Sequence, residues 1–464
     1  MARTLEIYRP DGFYDEAIRG DGEIRPEYRR PLAEIARDPA AAAAAAGRTA
    51  RELDARFGAG EDAEPFLVDA VPRIVTAEEW SGLERGLRQR ALALNRFLLD
   101  AYGAREIVAA GIVPAEVIEG AAYHEPVAGE IALGYSPATV IGFDVVRGAD
   151  GELEVLEDNS RTPSGFAYAL AARRVSEAVF GELPDDVLGL DRALDVLAAA
   201  LRAAAPGDGA DPRIVLLSEG AENGAWYEHE RLAALLGHEI ARPGELRFTE
   251  GRLRTLDDRA VDVVYRRTDE DRFVGAAGEP TAIGRLLLEP LREGAVAVVN
   301  APGTGLADDK LIHGYVGEMV RFYLGEEPAI GSVHTHDLRG KQTRDDVRER
   351  LDEVVVKPRS ASGGKGVMIG PRASERRLEL ADERIESDPG DTVAQEMVAL
   401  STHPTVCDGR LEPRHVDLRA FALTSGDEVT IVPGGLTRVA LERGSMIVNS
   451  SNGGGAKDTW VLRE

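Results

Sequence analysis

The chain has 464 residues, 44% of them hydrophobic and 29% charged, which suits a globular protein with a sizeable core and room for about two to four subdomains. A formal net charge of -26 repels DNA, RNA and anionic lipid, so nucleic-acid and membrane-surface functions are excluded, and any anion site must be a local basic island. The opening MARTLEIYRPDGFYDEAIRG lacks an apolar signal core, no apolar run is long enough to span a bilayer, and the single Cys407 excludes an intrachain disulfide, so a reducing cytoplasm is expected.

Four stretches follow from the pattern: a mainly helical region over 1–120, a hairpin and helix over 121–185, an α/β region over 186–335, and strands with Gly-rich loops over 336–464. Residues 1–60 read as polar and helical, and the run Ala40–Ala46 reads as a surface helix. Over 77–110, Leu83, Leu87, Leu92, Leu94 and Leu98 fall near helical spacing, which predicts a packing helix rather than a site.

From about 130 the period shortens. Gly142–Val146 and Leu153–Asn159, separated by Asp150-Gly151, predict a two-stranded hairpin. Glu157 and Asn159 lie two apart and share a face, and Asp144 can sit opposite them. Two carboxylates and an amide oxygen are hard ligands of the kind Mg²⁺ accepts. Glu154 is expected on the solvent face near the turn and Asp158 on the face away from the metal. In so acidic a chain such a trio also arises by chance, and the hairpin alone leaves both readings open.

A helix is predicted over 164–182. Strand and helix then alternate over 211–330, with a strand in Arg213–Gly220, a helix closed by Gly237, and a strand over 261–267. Glu228-His229-Glu230 either lines a pocket or is helix surface. His334-Thr335-His336 has no third ligand at convincing spacing and reads as a loop.

The last stretch carries the glycines. Val354–Val356 form a strand with Lys357 at its end, and Ser362-Gly363-Gly364-Lys365-Gly366 follows. This is neither a Walker A loop nor a Rossmann fingerprint, yet glycines here can fold over a phosphate chain; a Gly-rich hairpin with a solvated lysine fits equally well. Gln395-Glu396-Met397-Val398 ends another strand, where an adenine could rest on apolar side chains and Glu396 could reach ribose; an ordinary buried strand has the same sequence. Alternation puts Asp417 and Arg419 on one face, and Arg438 is on a following strand. Arginine forks suit a transferring phosphoryl group, although surface salt bridges use the same residues. Cys407, just before a turn, reads as buried or incidental rather than nucleophilic.

Together these motifs resemble the ATP-grasp superfamily in its circularly permuted form. Ordinary members place the strand lysine and Gly-rich loop first, then an Asp-x-Arg strand, then a metal strand ending in Glu-x-Asn. Here Asp144 and Glu157-Asp158-Asn159 lie far upstream of Lys357, as a permutation would give. Tyr14–Ala17, Leu156–Gly165, Tyr265-Arg266-Arg267 and Asn449–Asp458 also look like the permuted family, and the outline is similar to glutathionylspermidine synthetases.

The resemblance implies an α/β, permuted ATP-grasp fold with a pre-ATP-grasp-like domain at 186–335, and an ATP-dependent carboxylate-amine ligase working through an acyl phosphate. Its cofactors would be ATP and Mg²⁺, and its partners small-molecule or peptide carboxylates and amines. Lys357 would hold the α- and β-phosphates, with Ser362, Gly363, Gly364, Lys365 and Gly366 as lid. Gln395, Glu396, Met397 and Val398 would hold adenosine. Arg419 and Arg438, with Asp417 beside them, would neutralise the γ-phosphate, and Asp144, Glu157 and Asn159 would hold Mg²⁺. Arg161, Arg266, Arg267, Asn449 and Ser450 are candidates for the substrate. The segment Pro358–Ser362 lacks the glycine and aromatic that relatives carry before the Gly-Gly pair. A phosphotransferase or a non-catalytic ATP-binding scaffold on the same fold are the rival readings.

Overall fold

Three sheets organise the computed structural model, which describes residues 8–207, 211–268, 272–275, 278–360, 364–448 and 454–463. The largest has eight strands, and its spine is the long strand Arg410–Ser425. That strand pairs antiparallel with Val140–Arg147 on one side and with Leu436–Val439 on the other. Leu153–Asn159 completes the predicted hairpin against Val140–Arg147, and Gly331–Ser332 lies outside it. Asp144 and Arg419, 275 positions apart in the chain, are therefore direct neighbours.

Every residue of Val140–Arg147 is buried, and its pleat sorts them. Ile141, Phe143 and Val145 enter the main core with Leu87, Leu94 and Phe97 of the helix Ala77–Ala101. Gly142 and Asp144 point the opposite way. The helix begins at a capping box, in which Thr76 Oγ1 accepts from Glu79 N and the Glu79 carboxylate accepts from Thr76 N. Leu83, Leu87, Leu94 and Leu98 are buried and Leu92 half-buried, as the spacing predicts.

The N-terminal stretch is less helical than its composition implies. Helices occupy Arg29–Ile35 and Pro39–Glu52, but over 8–25 the chain is irregular and held in part by side chains. There the Asp15 carboxylate accepts from Ala17 N and Ile18 N at 2.9 and 2.7 Å. The alanine-rich helix is not simply a surface helix. Its Ala46 and Ala50 are buried, and it packs against the helix Phe166–Phe180, a close approach that small side chains permit.

A second, antiparallel sheet runs Thr335–Asp337, Thr392–Glu396, Val354–Pro358, Met368–Ile369. The stretch expected as a loop around His334-Thr335-His336 thus carries an edge strand. Its partner lies some sixty residues downstream, and no local pattern announces the pairing. The third sheet is parallel, in the order Ala297–Val299, Val263–Arg266, Ile214–Leu217, Glu239–Ala241. From Ile214–Leu217 the chain passes through the helix Trp226–Leu236, capped by Gly237 at φ +70°, to a neighbour on one side. It then returns on the other side, so a switch point lies between Ile214–Leu217 and Val263–Arg266. Among the described residues, no helix is long and apolar enough to cross a membrane.

Glu16 ties these parts together. Its buried carboxylate accepts from Arg73 at 2.6 Å and Ser401 at 2.7 Å and lies 3.2 Å from Arg147. Burial alone would raise this carboxyl, but Arg73 and Arg147 outweigh it and hold it at about 2, against an ordinary 4.5. The folded value lies below the unfolded one, so the stabilisation is complete above pH 4.5 and is lost as pH falls towards 2. Glu16→Gln is expected to lower stability to urea at pH 7. It should also flatten the stability profile below pH 4.5 by up to about 1.4 kcal/mol per pH unit. An unchanged slope would show that the carboxylate is not the acid-sensitive link.

Candidate functional site

The site starts from a ladder of opposite charges across three strands. Asp144 lies directly opposite Arg419, and Asp417 directly opposite Arg438. Arg419 grips Asp144 through both Nε and Nη2, the latter at 3.0 Å. Arg438 Nε donates to Asp417 at 2.8 Å, and its Nη2 reaches both Asp417 and, at 2.8 Å, Asp144. Burial works against the charge on Asp144, but two guanidinium groups hold it at about 2. Burial pushes Asp417 up, and the nearby Asp144 charge adds to this, although Arg438, which Asp417 shares with Asp144, works against it.

The hairpin register sets the next layer. Asp144 pairs with Glu157 and Gly142 with Asn159, as the sequence predicts, with an irregularity after Asp144 that leaves Leu156 unpaired. Glu157 and Asn159 share the face of Asp144. Glu154, expected on the solvent face, is half-buried beside the paired Gly331–Ser332. Asp158 turns to the opposite face, as expected, and is buried there. Arg90 of the helix Ala77–Ala101 donates to both its oxygens at 2.5 and 2.7 Å, and His313 Nδ1 donates at 2.7 Å. The helix read as packing alone therefore also anchors the hairpin from behind.

The second sheet forms the facing wall. Lys357 is on the strand Val354–Pro358 and bonds Gln395, whose amide donates to Leu156 O at 3.2 Å and Thr335 Oγ1 at 3.1 Å. Gln395 thus bridges the lysine strand to the hairpin. Lys310 Nζ reaches Glu157 Oε1 at 2.8 Å. Burial, with the Lys310 charge behind it, pushes Lys357 down to about 8 despite Glu157.

Two cavities meet at this point. A smaller one, about 140 Å³, is lined by Val355, Lys357, Ile369, Gln395, Glu396, Met397, Val398 and Lys310. A larger one, about 380 Å³, is lined by Asn159, Arg161, Ser164, His229, Arg267 and Arg419 among others. Asp144, Glu157 and Arg438 line both. The hairpin carrying Asp144 and Glu157 and the Lys357 strand therefore face each other across one cleft.

Other predicted residues are placed as follows. The Glu396 carboxylate is engaged by Arg350 and by His336 at 2.6 Å, and these partners hold it at about 2. Gly364 lines the smaller cavity, whereas Lys365 and Gly366 are exposed. Arg359, in the segment ahead of the Gly-Gly pair, is buried and anchored on Asp309 at 2.9 Å and on Val117 O at 2.6 Å. Arg161 is paired with Asp308 at 2.8 Å and Arg267 with Glu228 at 2.9 Å, both at the larger cavity. Arg266 is not there: strand alternation sends it to the other face, where its guanidinium lies over Phe273. Ser362, Gly363, Asn449 and Ser450 lie outside the described residues. Of Glu228-His229-Glu230, His229 lines the cavity, Glu228 is buried behind it, and Glu230 is exposed.

The family description "Circularly permuted ATP-grasp type 2" matches residues 72–440. The chain belongs to this family. The chain is 43% identical over 475 residues to a Frankia alni protein named "Putative glutamate--cysteine ligase 2-3", covering 99% of this chain and 55% of that protein. It spans 55% of the length of both Frankia relatives it matches, so their name describes much longer proteins. It is also 40% identical to an uncharacterised Synechocystis sp. protein, covering 99% of each chain. A solved structure described as a glutathione synthetase-like effector from Globodera pallida superposes with a TM-score of 0.58 at 13% identity, covering 96% of this chain and 100% of that one. At that identity the likeness is one of fold.

Sequence reasoning missed Lys310, Arg90 and His313. Lys310 and His313 share the short helix Lys310–His313, whose cap is Asp309. One turn separates them, and together they hold Glu157 and Asp158. A lone lysine after two aspartates, with no strand pattern beside it, carried no signal. For a metal, the donor set fits in kind: two facing carboxylates, Asp144 raising the cost of ionising Glu157, and Asn159 at the same cavity, which can offer its amide oxygen. Among the described residues no group of three His, Cys, Asp or Glu is placed to hold an ion; here the third member is an amide. The anchor behind the hairpin is testable. Asp158→Ala leaves Arg90 buried beside no carboxylate, and urea unfolding is expected to show a loss of about 3–5 kcal/mol. A loss below about 1 kcal/mol would mean the pair does not anchor the strand.

Proposed function

We propose that this ATP-grasp protein is an ATP-dependent carboxylate-amine ligase. The observation that carries the reading is the wall of Asp144, Glu157 and Arg438 shared by the two cavities. A phosphoryl group seated at the inner end of the smaller cavity would be reachable by a carboxylate in the larger one. The Frankia relatives bear the name of a ligase, which supports the class but not the substrates.

In this reading the adenine lies on Val355, Ile369, Met397 and Val398, and Lys357 and Lys310 meet the phosphates. Glu157, Asn159 and Asp144 would hold Mg²⁺, which when bound offsets negative charge on the phosphate chain. The substrate carboxylate attacks the γ-phosphorus in line, and ADP leaves. Arg438 and Arg419 neutralise the charge that builds on the transferring group and keep the carboxylate from being repelled. The amine then attacks the acyl phosphate carbon, and phosphate is released. Gln395 sets the distance between Lys357 and the hairpin, so it is a positioning residue.

The reading is tested by coupled measurement of ADP and free phosphate over paired libraries of amino acids, short peptides and polyamines. ADP and phosphate are expected together, and only with both partners present. ADP with a stable phosphorylated product would make the protein a phosphotransferase, and no turnover with any pair would favour a scaffold. Glu157→Ala is expected to lower turnover about 100-fold or more while the fold survives. Lys310→Ala is expected to weaken ATP binding about tenfold or more by calorimetry, since it removes a charge-assisted contact. Unaltered affinity would take Lys310 out of the nucleotide site.

A further inference from the structure

The larger cavity has an apolar end that the chemistry above does not use. Phe57, Phe66, Tyr168 and Leu436 form it. The ring centroids of Phe66 and Tyr168 lie 4.5 Å apart, and those of Phe57 and Tyr168 lie 6.0 Å apart. The Tyr168 hydroxyl donates to Arg56 O at 2.8 Å, so this ring offers the cavity carbon rather than a donor. Phe57 belongs to a small ribbon, Arg56–Phe57 against Glu64–Pro65, and Phe66 directly follows it. That ribbon is pinned over the cavity by Gly58 N to Gly224 O at 2.9 Å and Gly60 N to Ala221 O at 2.7 Å. Both phenylalanines lie upstream of the segment matched by the family, so this chain's N-terminal stretch supplies the wall.

Below the rings, the cavity opens on the switch point of the parallel sheet, with His229 after Ile214–Leu217 and Arg267 and Thr268 after Val263–Arg266. Burial keeps His229 uncharged, and its Nδ1 is 2.8 Å from Ser218 Oγ. The end next to the shared wall carries Arg161, Arg419 and Arg438. A cavity of about 380 Å³ with one charged end and one ring-lined end is sized for a small molecule rather than a folded partner.

We propose that the carboxylate substrate is a small acid bearing an aromatic or similarly bulky apolar group. Its carboxylate faces Arg161 and Arg438, and its apolar group rests against Phe57, Phe66 and Tyr168. This inference rests on the ligase reading of the same cavity. The test supplies the full chain with Mg-ATP and hydroxylamine, whose nitrogen displaces phosphate from an acyl phosphate to give a hydroxamate. Matched acids are compared: alanine with phenylalanine, and acetate with phenylacetate. The ring-bearing member is expected to have a kcat/KM about tenfold higher or more, and Phe57→Ala to cut that ratio about threefold to tenfold. Phe57 is half-buried at the ribbon, so this variant keeps the fold. Ring-free acids used equally well, with a ratio Phe57→Ala leaves alone, overturn this inference while the ligase reading stands. If none of these acids gives hydroxamate and the wider libraries give no ADP, the ligase reading fails, and calorimetry with phenylacetate decides the remainder. Binding that Phe57→Ala weakens supports the ring subsite, and no binding overturns it.

Discussion

The structure depends on charges that are buried and must therefore be paired. Asp417, Arg438, Asp144 and Arg419 alternate in sign across three strands of the main sheet. Each ion costs several kcal/mol to desolvate, and the attraction to its neighbours offsets that cost only while the register holds. A slip of one residue along Arg410–Ser425 would turn both acid and base to the apolar face. The ladder thus ties the fold to the site: the pairing that keeps the sheet in register also places Arg438 and Asp144 at the junction of the cavities. Its members are not satisfied once and for all. Asp144 shares Arg438 with Asp417, so a cation or a phosphate arriving at the junction can redistribute partners without leaving any charge bare.

The same logic explains why chain order matters little. The residues at the junction come from near 144–159, 310, 357, 395 and 417–438. What unites them is lateral strand pairing and one bridging amide, Gln395, whose reach from Lys357 to Leu156 O joins the two sheets. A permuted chain can keep every one of these contacts, because none is made through sequence neighbours.

Much of this was legible in sequence where a period of two governs. Glu157 and Asn159 opposite Asp144 followed from strand alternation and a short turn, and Asp417 and Arg419 followed from alternation alone. Alternation also separates Arg267 from Arg266, although reading both as substrate residues set that rule aside. What sequence could not carry is contact between elements with no shared period. Lys310 sits in a single helical turn, too short for an amphipathic signal. Arg90 lies inside a long helix whose leucines explain it fully as packing, and its partner is 68 positions away. Thr335–Asp337 becomes a strand only because Thr392–Glu396 offers it hydrogen-bonding groups.

Acidity sharpens the functional argument. A chain with net charge -26 can hold a polyanion only where its own carboxylates are already engaged. At the cleft they are, Asp308 by Arg161, Glu228 by Arg267 and Glu396 by Arg350, and behind it Asp158 is held by Arg90 and Asp309 by Arg359. Each pair spends an arginine on an internal acid, which makes the cleft a lattice of nearly neutral units rather than a simple basic patch. Lys357, pushed down to about 8 by burial, is the exception, since its bond is to an uncharged amide. A negative group entering beside it would supply the counter-charge that burial denies it. Lys357 is therefore a lysine of the cleft whose charge an incoming anion would match, and it stands on the strand that faces the carboxylate hairpin.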